Sequence, residues 1–83
     1  MANQGESGRR GPGGAGRPLS DREREILTLL ADGLTGAEIA ERLYLSPETV
    51  RTHIRNAMSK LGASTRAHAI AIALRRHEIN STN

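Results

Sequence analysis

Between Pro47 and Leu61 the chain carries Arg51, Thr52, Arg55, Asn56, Ser59 and Lys60 in a stretch free of glycine, with proline only at its start. At about 100° per residue, Val50, Ile54, Ala57, Met58 and Leu61 fall on one apolar stripe. Glu48, Thr52, Arg55, Asn56 and Ser59 fall opposite it. Arg51 lies at one edge of this outward face, and Thr49, His53 and Lys60 at the other. Long hydrogen-bonding groups flanked by short hydroxyls and cations suit base edges in a duplex groove, with phosphates at the margins. The competing explanation is an ordinary solvated helix. Such a helix would carry Glu, Lys or Ala where this one has Thr49 and Thr52, both weak helix formers.

Other chemistries find less support. His53, His68 and His77 are scattered, with no H-E-x-x-H spacing and no cysteine anywhere in the chain, so neither a metal site nor a disulfide is expected. Asp21, Glu23 and Glu25 resemble paired catalytic carboxylates only superficially, because acids at a helix start favour the dipole. The glycines of 11–16 lack the Lys-Ser/Thr ending of a phosphate-binding loop. No enzymatic function and no cofactor are expected. Tyr44 is the single aromatic residue, which argues against single-strand binding by base stacking.

The elements that must hold the Arg51–Lys60 face can be read from caps and periodicity. Ser20 and Glu23 form a capping box before Ile26, Leu27, Leu29 and Leu30, so a first helix is expected from about Asp21 to Ala31, stopped at Gly33. Thr35 and Glu38 repeat the box for a short second helix bearing Ile39, Ala40 and Leu43. Ser46, Pro47 and Glu48 suit the cap and first turn of a third helix, which Gly62 stops. Ser64 is the expected cap of a fourth helix, from about Thr65 to His77. No segment alternates as a strand would. The fold class is all-α, four helices with short connections, and the second and third make a helix-turn-helix. Residues 19–79 form this domain, with one core made of Ile26, Leu27, Leu30, Ile39, Leu43, Val50, Ile54, Leu61, Ile70 and Leu74. Residues 1–18, rich in Gly and Arg with little to bury, read as a disordered tail or linker, and 80–83 as a short C-terminal tail.

Charge follows the same division. Arg9, Arg10 and Arg17 against Glu6 leave the first 18 residues at +2. Residues 19–45 stand at −3, and residues 46–83 at +4, through Arg51, Arg55, Lys60, Arg66, Arg75 and Arg76 against Glu48 and Glu78. A polyanion is drawn to the second half of the domain and not the first. No apolar run is long enough to span a membrane and no signal-peptide core precedes the domain, so a cytoplasmic protein is expected.

The stretch LSDREREILTLLADGLTGAEIAERLYLSPETVRTHIRNAMSKLGASTRAHAIAIAL resembles the LuxR/NarL (GerE-type) C-terminal DNA-binding domain, and the likeness extends from Leu19 to about Ile79. Four linked parts carry it: REREIL, GLTGAEIAERL, LSPETVRTHIRNAMSKLGA and the alanine-rich segment after Arg66. The resemblance implies a tetrahelical fold, double-stranded DNA as partner, and transcription regulation. It places base-reading positions on Arg51, Thr52 and Arg55, and backbone-contacting positions on Ser46, Thr49, His53 and Lys60. Glu23 and Gly33 fall on positions that look structural. Members of the family carry Lys where this chain has Arg51 and Arg55, so no preferred base sequence carries over. Most relatives have a receiver or ligand-binding domain ahead of this one. Here a Gly/Arg-rich stretch stands in that place, which fits a stand-alone regulator or a piece of a longer one.

On the fourth helix, Ala69, Ile70, Ala73 and Leu74 make the expected core stripe, and Ile72 with His68 and Arg75 is expected to face away from it. This trio is the expected two-fold contact of a homodimer on DNA, which the resemblance also implies. RNA polymerase enters as a further candidate partner. Two other readings stay open: a sigma-factor-like promoter-binding module, and a protein-interaction module that offers its basic helix to an acidic partner.

Overall fold

The computed structural model describes residues 17–80; the proposed tail, apart from Arg17 and Pro18, and residues 81–83 lie outside them. Four helices follow one another: α1 (Asp21–Ala31), α2 (Gly36–Leu43), α3 (Pro47–Leu61) and α4 (Arg66–Arg75). The capping boxes form as read. Ser20 Oγ accepts from the Glu23 amide at 3.1 Å while Glu23 Oε1 accepts from the Ser20 amide at 2.8 Å. Thr35 and Glu38 repeat the exchange at 3.1 and 2.8 Å.

All four helices close in one way. A residue with positive φ follows the last turn: Gly33 (98°), Tyr44 (59°), Gly62 (68°) and His77 (58°). The next amide then donates back to a carbonyl five residues earlier: Leu34 to Leu29, Leu45 to Ala40, Ala63 to Met58 and Glu78 to Ala73, at 2.9–3.1 Å. This pattern satisfies carbonyls that a helix end would otherwise strand. A Cβ at Gly33 or Gly62 would meet nothing within 4 Å, so glycine serves there for its backbone freedom and not for space.

The start and end of α4 differ from expectation. Its cap is Thr65, whose hydroxyl accepts from the His68 amide at 3.0 Å, while the Ser64 amide donates instead to His68 Nδ1. It ends at Arg75, not His77, because His77 takes the left-handed conformation and turns the chain back. That reversal buries Ile79 and brings Glu78 to the entry of α1, where its carboxylate accepts from the Leu19 amide at 3.3 Å and faces Arg24 and Arg76.

α3 packs against all three other helices, and α1 also touches α2 and α4. The apolar interior falls into two clusters rather than one. Ile26, Ile39, Ala40, Val50 and Ile54 join α1, α2 and α3. Leu19, Leu27, Ala57, Leu61, Ala69, Ala73 and Ile79 join α1, α3 and α4. Leu30 and Met58 pack against both. Ile70 and Leu74, expected in the core, are half-buried, and the alanines Ala69 and Ala73 hold the centre of the α4 contact. Small residues there let α4 approach Ala57 on α3 closely.

Candidate nucleic-acid interface

The strip of α3 turned away from both clusters is the outward face read from its periodicity. Arg51, Thr52, Arg55 and Asn56 are exposed, as are Ser46, Glu48 and Thr49 at the start of the helix. His53, Ser59 and Lys60 are half-buried at its margin. Val50, Ile54, Ala57 and Leu61 are buried on the other side, which locks the rotation of the helix and so aims the polar face.

At the head of α3, Ser46 Oγ accepts from the Thr49 amide at 3.1 Å and lies 2.9 Å from Thr49 Oγ1. Pro47 has no N–H and the Thr49 N–H is occupied, so the Glu48 N–H and the two hydroxyls are the polar groups offered here. One of the two hydroxyl protons bridges the pair and the other is available to an external acceptor such as a phosphate oxygen. Arg51 has one acid within reach, Glu48 at 3.7 Å, with both side chains well exposed. Such a contact is weak and screened by salt, so it leaves the guanidinium available.

Lys60 lies at the margin of the face, as its spacing implied, and meets a carboxylate there. Its Nζ lies 2.8 Å from Glu23 Oε1, and the Glu23 side chain is only 5% exposed. Lys60, which the resemblance places on a phosphate, thus also has a carboxylate of α1 as a partner within the protein. Burial pushes the Glu23 carboxyl up, yet the Lys60 ammonium and the amide and hydroxyl of Ser20 outweigh burial and hold it below its ordinary value. Glu23 thus closes the cap of α1 and pairs with Lys60 across to α3.

The structure brings together residues that periodicity alone did not. Arg66, at the first position of α4, shares a hollow with Arg51, Ile54, Arg55 and Met58 along one flank of α3. On the other flank, Arg17 borders a hollow with Glu23, Asn56, Ser59 and Lys60. Neither arginine stands on α3, so helical spacing could not have found them.

Ile72 also departs from expectation. It is half-buried and packs against the cluster that holds Leu19 and Leu27. It flanks the core stripe instead of opposing it. The exposed side of α4 is made by Ala67, His68, Ala71 and Arg75.

No helix of the described residues is long and apolar enough to cross a membrane. Among those residues no group of three His, Asp or Glu side chains could hold a metal ion.

Comparison with known proteins agrees with this geometry. Residues 17–73 match the family model described as bacterial regulatory proteins, luxR family. The chain is 48% identical over 62 residues to the transcriptional regulatory protein LiaR of Bacillus subtilis, covering 75% of this chain and 29% of that protein. It is 48% identical over 61 residues to the spore germination protein GerE of the same organism, covering 74% of this chain and 82% of GerE. The chain thus spans less than a third of LiaR but most of GerE. A solved structure of the transcription factor GerE superimposes with a TM-score of 0.72 at 44% identity, covering 75% of this chain and 92% of that one.

Proposed function

Because this chain belongs to the LuxR family of bacterial regulatory proteins, we propose that it binds double-stranded DNA in a sequence-specific way and thereby regulates transcription. The observation that carries this reading is the exposed polar face of α3, held in a fixed rotation by the buried Val50, Ile54, Ala57 and Leu61. α3 enters the major groove, and α2 braces it across the backbone. Arg51, Thr52 and Arg55 read base edges, while Ser46, Thr49 and His53 contact phosphates. Lys60 supports the interface through Glu23. The work is done in the cytoplasm, and RNA polymerase is the partner that follows from binding near a promoter.

The functional unit on DNA is a two-fold dimer joined through the outer side of α4. His68 and Arg75 lie on that side and Ile72 at its margin. One helix face per subunit buries on the order of a few hundred Å², well below a stable standard interface. The pairing is therefore weak in solution and gains strength on DNA.

Replacing Arg55 by Ala tests the reading of α3. Binding to the preferred duplex should fall by about 1–3 kcal/mol and preference should relax at one base pair, with little change on random duplex. Equal losses on both would make Arg55 a phosphate contact.

A further inference from the structure

Arg66 stands in a place that does not suit it as a helix residue. A cation in the first turn opposes the helix dipole. α1, α2 and α3 each carry acid there, Asp21 and Glu23, Glu38, and Glu48 respectively, whereas α4 has none and begins with Arg66. Arg66 is exposed, and among the described residues neither it nor Arg55 forms an ion pair. Yet Arg51, Arg55 and Arg66 line one hollow, whose floor is the apolar Ile54 and Met58. Arg66 thus brings a charge with no acidic partner to the edge of this hollow, and an anion seated there would neutralise it.

We propose that this hollow seats a backbone phosphate of the bound duplex, with Arg66 as its clamp. The proposal rests on the reading of α3 as a groove-inserted helix. A helix in the major groove has a phosphate strand along each flank. Thr49 and His53 lie on one flank. Arg51 and Arg55 lie toward the other, but their reach is assigned to bases. Arg66 approaches that second flank from α4, outside the groove helix, and a guanidinium can hold two phosphate oxygens at once. Since the phosphate is the same at every base pair, Arg66 positions the domain and does not select sequence.

The test is a salt titration of duplex binding for the wild type, Arg66→Ala, Arg66→Lys and, as a control cation on α1 paired with Glu25, Arg22→Ala. Arg66→Ala should bind every duplex sequence about tenfold more weakly, with a log-log salt slope shallower by about one unit. Arg66→Lys should restore the slope, and Arg22→Ala should match the wild type. Arg66→Ala should also melt no lower than the wild type, since alanine suits a helix start that lacks acid. If the wild type shows a steep salt slope and Arg66→Ala keeps both slope and affinity, the phosphate seat is wrong while the reading of α3 stands. A loss confined to one sequence would make Arg66 a base contact and overturn the proposal. A wild type with no salt-dependent duplex binding would remove both readings.

Discussion

Glu23 has two roles at once. Its carboxylate closes the capping box with the Ser20 amide and also holds Lys60 across from α1 to α3. The pair is buried on the Glu23 side, where removing one partner strands a charge and costs about 3–5 kcal/mol. Lys60→Ala should therefore lower the melting temperature, and any loss of DNA affinity should disappear once folding is corrected for. The pH dependence has a definite sign. The folded carboxyl is held below its ordinary value of 4.5, so its contribution is fully present above that pH and is lost as pH falls below it. Glu23→Gln should be less stable than the wild type at neutral pH, and the gap should narrow on acidification below about 4.5. Melting curves at several pH values read both effects. The box was legible because cap and acid are three residues apart. The pairing with Lys60 was not, because local spacing says nothing about a partner 37 residues away.

At the scale of elements, the stops at Gly33 and Gly62 were readable because glycine adopts positive φ at little cost. Tyr44 and His77 take the same conformation without that advantage, which is why the end of α4 was placed two residues late. For an L residue the left-handed region costs about 1–2 kcal/mol. Tyr44 is 94% exposed, so its side chain returns almost no packing. Tyr44→Gly should stabilise the domain by about 0.5–1 kcal/mol, after the extra chain freedom of glycine in the unfolded state is counted. A calorimetric scan would read this as a rise of several degrees. A fall in melting temperature would mean that the aromatic ring makes a contact the turn depends on. The cap of α4 went to Thr65 over its neighbour Ser64. Both side chains could accept from the backbone, and sequence alone does not decide between adjacent candidates.

At the scale of the molecule, α3 is the hub that every other helix touches, and its exposed face remains for a partner. The helix order and that face were legible because both follow from local periodicity. The split of the interior into two clusters was not. It depends on Ala69 and Ala73 closing α4 onto α3, and on Leu19 before α1 and Ile79 after α4, which belong to no periodic stripe. The same tertiary detail moves Ile72 from the outer side of α4 to its margin. A charge at Ile72 would disturb the fold as well as any dimer, so the exposed Ala71 is the better probe of the two-fold contact. Selection of bound sequences from random duplex DNA, run in parallel on the wild type and Ala71→Glu, tests sequence reading and pairing together. The wild type should enrich an inverted repeat of two short half-sites. Ala71→Glu should enrich the single half-site, because two like charges would meet at the axis while α3 is unchanged. Recovery of no common sequence by the wild type would contradict the account at its centre, since the face of α3 would then grip phosphates without reading bases.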